Sequence, residues 1–213
     1  MGLTDTADHL RRARLVGEKI YLRALEKEDV NDEYLNWLND ISINKNIRGA
    51  VRPVSMLDLE EQFENAQKRS NEVNFAVCDL ESGIHIGNLR VRSIELYHRS
   101  ANIGRLLGHP GFQGGGRGSE ALFLGLKFGF YHLGLNRMET GVIATNIAAV
   151  RSNEKIGMTM EGVKRQAVFV NGGYQDALHF SMLRHEFEER YGTPEECSER
   201  ELAIITQMST STA

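Results

Sequence analysis

A glycine-rich segment in the middle of the chain carries the clearest chemical signal. Residues 108–121 read GHPGFQGGGRGSEA, and a helix-like apolar run follows at once. Glycine has no Cβ, so backbone N–H groups in such a segment can turn toward a ligand. The first turn of a following helix adds unpaired N–H groups and a partial positive charge, which together favour a phosphate. The segment therefore predicts a loop that binds a pyrophosphate.

The spacing of the glycines excludes two common phosphate-binding loops. A P-loop needs a lysine before its Ser or Thr, whereas Gly118 precedes Ser119 in this chain. The dinucleotide fingerprint needs a third glycine at the place that Ser119 occupies. The absence of the P-loop lysine also argues against ATP as the ligand. What remains is the pattern Gln113-x-x-Gly116-x-Gly118.

The helix that follows the loop is predicted over residues 119–133, because apolar side chains recur there at helical spacing. Gly125 and Gly129 lie inside it, and each costs about 1 kcal/mol relative to alanine. A helix that keeps both glycines is expected to pack closely against another element.

Further elements surround this helix. A buried strand is predicted over 135–144, and Asn146 then caps a helix over 147–156 that Gly157 ends. The remaining predicted elements are strands over 20–25, 74–80, 85–94 and 100–108, helices over 28–38 and 55–69, a closing hairpin of 166–170 with 177–184 around Asn171, Gly172 and Gly173, and a last helix begun by a Thr193–Glu196 capping box.

The domain organisation follows from length and from these elements. Residues 15–187 are expected to form one domain, since a chain of 213 residues with 41% hydrophobic content suits a single core. Residues 1–14 are expected to form a flexible N-terminal arm. Residues 188–213 are expected to form a C-terminal helix and tail, with 209–213 disordered and the helix docked on the body or on a partner.

Two further blocks give the loop its family context. Residues 146–158 read Asn-x-x-Ala-x-x-x-Asn-Glu-Lys-Ile-Gly-Met, and Glu161-Gly162 follows. With the Gln113 pattern and the closing segments 163–167 and 171–176, they resemble the GNAT superfamily of acetyl-CoA-dependent N-acetyltransferases, in its RimJ/RimL-like branch. The resemblance covers about residues 17–187. It implies an α/β (α+β) fold, with a mixed, largely antiparallel central sheet splayed to bind acyl-CoA and helices on both faces.

The resemblance also assigns the residues that bind acetyl-CoA as a co-substrate. The strand 105–108 is expected to hold the thioester and pantetheine through its backbone, and the loop amides are expected to hold the pyrophosphate. Arg117 could add a charge-assisted phosphate contact or be merely solvated, and Asn146 could contact pantetheine, cap its helix, or do both. The expected coenzyme-binding residues are Leu106, Leu107, Gly108, Gln113, Gly114, Gly115, Gly116, Arg117, Gly118, Ser119, Asn146 and Asn153.

The leaving thiolate poses the first chemical question. Many members of the superfamily carry a tyrosine near the sulfur, and this chain has Asn153 at the matching position. An asparagine N–H can hydrogen-bond a thiolate but cannot deliver a proton at neutral pH. Three solutions stay open: the thiolate leaves unprotonated, water supplies the proton, or another group such as Ser152 does.

The general base is the second question. Many relatives have a glutamate in the strand before the loop, where this chain has Asn102. Glu139 on the next strand is the preferred base, with water as a relay, and its alternative role is an ordinary strand-edge carboxylate. His109 is another candidate, although it is expected to serve the turn with Pro110. Glu161 resembles the glutamate that lies near the acceptor in RimJ/RimL-type proteins.

The acceptor amine is predicted from the connection 39–52, which carries three cationic residues and one acid. The excess of positive charge in this connection favours a neutral or anionic acceptor, such as a nucleotide-linked amino sugar or a protein N-terminus, over a polycation. Glu60, Glu61 and Glu64 keep a polyamine acceptor open. Because amides occupy both expected proton-transfer positions, a catalytically silent acyl-CoA-binding module is the alternative from another class.

Composition limits the partners. A net charge of −4 gives no general attraction to nucleic acid, and no apolar run approaches the length of a membrane span. Two cysteines do not make a disulfide framework, which favours a reducing cytoplasm. The histidines are scattered, so no metal is expected. A homodimer is a possible assembly, since the closing hairpin and tail could pair across a two-fold axis.

Overall fold

The computed structural model describes residues 10–44, 52–170 and 172–210, and an eight-stranded sheet runs through them. The strands lie in the order β1-β2-β3-β4-β5-β6-β8-β7, and every neighbouring pair is antiparallel except β5 and β6. The strands are β1 Leu15–Val16, β2 Ile20–Ala24, β3 Glu72–Asp79, β4 His85–Glu95, β5 Ser100–Leu107, β6 Arg137–Ile143, β7 Thr159–Val170 and β8 Gly173–Leu183. The predicted mixed, largely antiparallel sheet is confirmed.

Helices flank the sheet. They are α1 Asp32–Asn39, α2 Ile41–Asn44, α3 Met56–Gln67, α4 Arg117–Lys127, α5 Ile147–Ile156, α6 Arg184–Tyr191 and α7 Pro194–Thr210. Short 3₁₀ turns cover Lys27–Asp29 and Pro110–Phe112, and a π-helical turn, Phe128–His132, extends α4.

The sheet opens between its two parallel strands. Pairing of β5 with β6 covers only three residues and ends at Asn102 opposite Glu139. Beyond that point β5 continues to Leu107 and β6 to Ile143, each paired only with its outer neighbour. The backbone groups of residues 103–107 that point away from β4 therefore face a gap. This gap is the predicted splay, and we refer to it as the opening.

Alternation along the strands gives the sheet two distinct faces. The α4 face carries the main apolar core, with Leu89, Ala101, Ile103, Met138 and Phe180 packed together under α4 and α6. The α1 face carries the intervening residues, and α1 and α3 cover part of it. Its residues near the opening are Asn88, Arg90, Arg92, Asn102, Gly104, Leu106, Arg137, Glu139 and Ser181.

Close packing explains the glycines of α4. A Cβ added at Gly125 would lie 2.5 Å from Cδ1 of Ile103, and one at Gly129 would lie 2.6 Å from Sδ of Met138. Both distances are too short for real atoms. The helix and its π-helical turn thus lie directly on β5 and β6, as the two glycines predicted.

Several element boundaries differ from the expectations. The helix predicted from 119 begins at Arg117, because Gly116 adopts the left-handed conformation (φ +89°) and serves as its N-cap. The helix predicted from 28 begins at Asp32, after a 3₁₀ turn. β7 begins at Thr159 instead of 166, because it pairs with β8 along its whole length across two register shifts.

The C-terminal region contains a helix that periodicity did not predict. α6 begins at Arg184, directly after β8, and buries Phe187 in the main core. α7 begins with the predicted capping box, since the backbone N–H of Thr193 donates to Glu196 and that of Glu196 donates to the Thr193 hydroxyl.

α7 docks on the body of the protein. Glu201 accepts hydrogen bonds from the backbone N–H of Val16 and from the buried Lys127 ammonium, both at 2.5 Å. The expected flexible arm is only partly described. Residues 1–9 lie outside the described residues, whereas Leu10 and Ala13, like Ile204 of α7, pack against a small buried cluster that includes Val16 and Tyr21. The end of the arm, residues 10–14, is therefore attached to the body.

Within the described ranges, no helix is long and apolar enough to cross a membrane. Cys78 and Cys197 are buried free thiols.

Candidate functional site

The glycine-rich loop follows β5 and leads into α4, at the end of the opening. Gly114, Gly115 and Gly116 all have φ between +60° and +89°, a region that side chains with a Cβ rarely adopt. Among the described residues no backbone or side-chain group accepts from the N–H groups of Gly114, Gly116, Gly118 or Ser119. These four donors are exposed or half-buried at the N-terminus of a helix. They form a site suited to a pyrophosphate.

The turn between β1 and β2 holds this loop in place. Nζ of Lys19 donates to the carbonyl oxygen of Gly115 at 2.7 Å, and the Glu120 carboxylate accepts from the backbone N–H groups of Glu18 and Lys19. Burial raises the pKa of Glu120. Lys19 is therefore a cation beside the loop that the sequence reasoning missed, because it lies almost a hundred residues earlier in the chain.

Arg117 forms an ion pair with Asp79 beside the loop. Its Nη2 and Nε lie 3.0 and 3.2 Å from Oδ1 of Asp79, and its guanidinium lies 5.2 Å from the centroid of the Phe112 ring. Burial alone would raise the pKa of Asp79, but hydrogen bonds from Ser82 and Arg117 outweigh it and lower that pKa. The phosphate contact of Arg117 stays a prediction.

The last residues of β5 pack against neighbouring elements, and the coenzyme-binding role expected for their backbone stays a prediction. Leu106 packs against Trp37 and its cluster on the α1 face, and Leu107 lies 3.6 Å from the position of a Cβ at Gly118. A Cβ added at Gly108 would overlap the Trp37 ring. Gln113 is exposed and follows the 3₁₀ turn at Pro110–Phe112.

α5 lies across the opening from β5 and carries three predicted residues. Oδ1 of Asn146 accepts from the N–H of Ala149 at 3.2 Å, so the helix-cap role is confirmed and the pantetheine contact stays a prediction. The hydroxyls of Ser152 and Ser119 are 2.9 Å apart and join α5 to the start of α4. Asn153 is fully buried.

Arg105 reaches from β5 to Asn153. Both terminal nitrogens of its guanidinium lie 3.4 Å from Oδ1 of Asn153. Burial lowers the pKa of Arg105 to about 10. No carboxylate in the described part of the chain lies within ion-pair distance of it, and Nδ2 of Asn153 has no hydrogen-bond partner. The family resemblance predicts a role only for the backbone of this strand.

Arg137 organises the two predicted carboxylates on the α1 face. Its Nε donates to Glu139 at 2.6 Å, its Nη1 donates to Glu161 at 2.7 Å, and Nη2 also binds Glu161. The Ser181 hydroxyl donates to Glu161 at 2.8 Å. Hydrogen bonds from Arg137 and Ser181 lower the pKa of Glu161 to about 2. Glu139 lies at the last paired position before the opening, and Glu161 lies on β7, two strands away from Glu139 in the sheet.

Other charged side chains extend this face. Nε of Arg90 lies 3.2 Å from Glu72, which also pairs with Arg69, and Arg92 is exposed without an ion pair among the described residues. A Cβ added at Gly104 would meet no atom within 4 Å, so the sheet surface between these groups is open.

The turn role predicted for His109 is confirmed, whereas the connection 39–52 is only partly described. Nδ1 of His109 accepts from the N–H of Gly111 at 3.1 Å, the turn role expected for it, and Nε2 lies 3.5 Å from Glu33. Arg52 lies 3.3 Å from Asp58. The other two cations of the connection, Lys45 and Arg48, lie outside the described residues.

These features fit an acyl-CoA. Unpartnered loop N–H groups suit its pyrophosphate, and the unpaired edge of β5 suits the amide-bearing pantetheine arm. In the described ranges no group of His, Cys, Asp or Glu side chains could hold a metal ion.

Comparison with known proteins agrees with this geometry. Residues 19–159 match the family described as the acetyltransferase (GNAT) domain. A prophage-derived N-acetyltransferase of Bacillus subtilis is 28% identical over 83% of this chain and 96% of its own length. Spermidine N(1)-acetyltransferase of Escherichia coli is 26% identical over 82% and 91%. The structure of Vibrio cholerae spermidine N-acetyltransferase with CoA and spermine superimposes with a TM-score of 0.74 at 28% identity, covering 80% of this chain and 99% of that one.

Proposed function

The chain belongs to the GNAT acetyltransferase family and is an acetyl-CoA-dependent N-acetyltransferase, and we propose that its acceptor is a primary amine on a molecule that also carries negative charge. A nucleotide-linked amino sugar is the leading example. Acetyl-CoA supplies the acetyl group as a thioester. The amine attacks the thioester carbonyl directly, with no covalent intermediate on the protein.

The charge balance of the α1 face carries this proposal. The strand carboxylates near the opening are already paired with arginines: Glu72 with Arg69 and Arg90, and Glu139 and Glu161 with Arg137. Arg92 is exposed beside them, unpaired within the described ranges. A guanidinium binds a phosphate or carboxylate well, whereas a polyamine needs carboxylates that are free to pair.

The chain's own residues have distinct proposed roles. The loop N–H groups and Lys19 hold the pyrophosphate, and the unpaired edge of β5 orients the arm of the coenzyme. Glu139 accepts the proton that the ammonium form of the acceptor must lose, with water as a relay. Arg137 positions Glu139 through the 2.6 Å hydrogen bond to its carboxylate.

A polyamine acceptor is the second candidate, because the Escherichia coli and Vibrio cholerae relatives are named spermidine N-acetyltransferases. Exposed glutamates on α3, Glu60, Glu61 and Glu64, are the groups that such a substrate would use. The RimJ/RimL-like branch, a protein N-terminus as acceptor, a cytoplasmic location and a homodimer stay predictions.

The test is release of free thiol from acetyl-CoA with a panel of amines: nucleotide-linked amino sugars, peptides with free N-termini, and spermidine. We expect turnover with the anionic amines. Turnover with spermidine alone would replace the proposed acceptor by the polyamine. Tight coenzyme binding without turnover on any amine would favour the silent acyl-CoA-binding module.

The variant Arg92→Gln sharpens this test. It is expected to raise the KM for an anionic amine about tenfold, since a charge-assisted hydrogen bond contributes about 1.5 to 3 kcal/mol. The KM for acetyl-CoA should not change. Arg165→Gln, which removes an exposed arginine on β7 at the sheet edge, is the matched control. An unchanged amine KM in Arg92→Gln would exclude Arg92 from the acceptor site.

A further inference from the structure

We propose that Arg105 and Asn153 bind the sulfur of the departing coenzyme as a thiolate, so that acetyl transfer needs no proton-donating side chain at this position. The inference rests on the proposed function and deepens it, because it names a catalytic pair for the same site.

The geometry places the two side chains together on the α4 face of the opening. Arg105 lies two residues beyond the core residue Ile103 on β5, and Asn153 projects from α5 on the other side of the gap. The guanidinium spans the gap and meets Asn153 Oδ1 through both terminal nitrogens. The two side chains therefore form one polar pair beside the opening, with Asn153 buried behind Arg105.

The polar groups of this pair are incompletely satisfied. Arg105 has only an amide oxygen at a long 3.4 Å as its partner, and no carboxylate of the described residues compensates its charge. Nδ2 of the fully buried Asn153 donates to nothing. A half-buried cation without a counter-ion and a buried amide N–H without a hydrogen-bond partner each cost free energy. An anion in the opening would relieve both costs at once.

The reaction creates such an anion. When the amine nitrogen attacks, the C–N bond forms and the carbonyl π electrons move to oxygen. As the intermediate collapses, the C–S bond breaks and its electron pair stays on sulfur. The proton lost by the nitrogen goes to the base or to water, and water later protonates the thiolate. A guanidinium and an amide N–H stabilise that sulfur without transferring a proton to it.

The alternative proton source on α5, Ser152, shares a hydrogen bond with Ser119 in which either hydroxyl can be the donor. The Ser152 hydroxyl lies 2.9 Å from the Ser119 hydroxyl, at the start of α4. Of the three solutions that the sequence left open, the pairing of Arg105 with Asn153 favours departure of an unprotonated thiolate.

The decisive experiment measures binding of CoA and of desulfo-CoA by calorimetry between pH 6.5 and 9. The ratio of the two affinities isolates the sulfur, since every other group is shared. If the protein lowers the pKa of the bound thiol by one unit, CoA gains up to about tenfold in affinity as the pH rises, whereas desulfo-CoA does not. We expect this gain in the wild type, a reduced gain in Asn153→Ala, and none in Arg105→Gln.

The controls separate this role from a structural one. Arg105→Lys keeps the charge and should keep part of the pH-dependent gain, and Arg165→Gln should keep all of it. In Arg105→Gln, kcat is expected to fall about 10- to 100-fold, and added methylguanidinium should restore part of the rate. Binding of desulfo-CoA to Arg105→Gln with wild-type affinity would show that this variant is folded.

Three outcomes overturn the proposal, and the third is distinguishable from the first two. A flat CoA to desulfo-CoA ratio in the wild type, or an equal gain in Arg105→Gln, would exclude Arg105 as the thiolate partner while leaving the acetyltransferase function intact. Failure of the wild type to bind either coenzyme would instead remove the proposed function on which this inference rests.

Discussion

The two faces of the sheet offer different kinds of groups at the opening between β5 and β6. On the α4 face these are backbone N–H groups of the loop, the unpaired edge of β5, and the uncompensated Arg105. On the α1 face they are charged side chains from four strands, with carboxylates already paired to arginines.

This difference indicates how coenzyme binding and acceptor choice are separated. Backbone donors recognise a feature that every acyl-CoA shares, and they survive most substitutions because they depend on backbone conformation. Side-chain ion pairs on the other face can be exchanged singly. The same fold can thus keep its co-substrate while its acceptor changes.

The largest effect is expected from Glu139→Gln, which acts on the α1 face alone. Loss of a general base should lower kcat by about 100-fold or more. The affinity for acetyl-CoA, measured by calorimetry, should not change. Glu154→Gln, which removes an exposed glutamate of α5 away from this ion-pair cluster, is the matched control. If Glu139→Gln has the wild-type kcat at every pH, Glu139 is not the base. If Glu139→Gln binds acetyl-CoA more weakly than the wild type, coenzyme binding does not depend on the α4 face alone.

Gly108→Ala tests the packing of α1 against the chain at the end of β5. An added Cβ would overlap Trp37, so the free energy of unfolding should fall by about 2 to 3 kcal/mol. Gly104→Ala, on the strand β5 that Gly108 directly follows, is the control, because its new methyl group meets nothing within 4 Å. Urea denaturation of both variants is the measurement. Equal stabilities would mean that α1 does not pack on β5 as described.

Gly116→Ala tests the α4 face. Alanine at φ +89° is strained by about 1 to 2 kcal/mol, and the strain should move the loop donors. We expect about tenfold weaker CoA binding, equivalent to roughly 1.4 kcal/mol. Gly83→Ala introduces similar strain (φ +69°) in the turn before β4 and should leave CoA affinity unchanged. Equal CoA affinities of the two variants would argue against the loop as the pyrophosphate site.

The smallest effect is the contribution of Glu161, on the α1 face, to the pH dependence of the free energy of unfolding. Folding lowers the pKa of Glu161 from 4.5 to about 2, so its stabilising contribution is present above pH 4.5 and is lost as the pH falls toward 2. Because the side chain is 42% exposed, we expect at most about 1 kcal/mol. The difference in unfolding free energy between wild type and Glu161→Gln should therefore shrink between pH 7 and pH 3. Glu154→Gln, an exposed glutamate on α5, should show no such trend.

Local signals in the sequence predicted most elements that position the coenzyme side. Asn146 and Gly157 bound α5 as expected, and Gly125 and Gly129 mark the close contact of α4 with the sheet. Predictions failed where tertiary pairing decided the outcome. β7 begins at Thr159 because β8 pairs with it there, and the polar-looking α6 is a helix because Phe187 enters the core.

The sequence by itself determined the glycine loop, the order of strands and helices around it, and the family, because these depend on backbone conformation and on residues close together in the chain. Only the tertiary structure decided the charge arrangement at the opening. It joined Arg105 to Asn153, Lys19 to the loop and Arg137 to Glu161, and it turned Arg117 toward Asp79. A side chain's partners depend on which strands become neighbours, and strand order is a property of the whole fold.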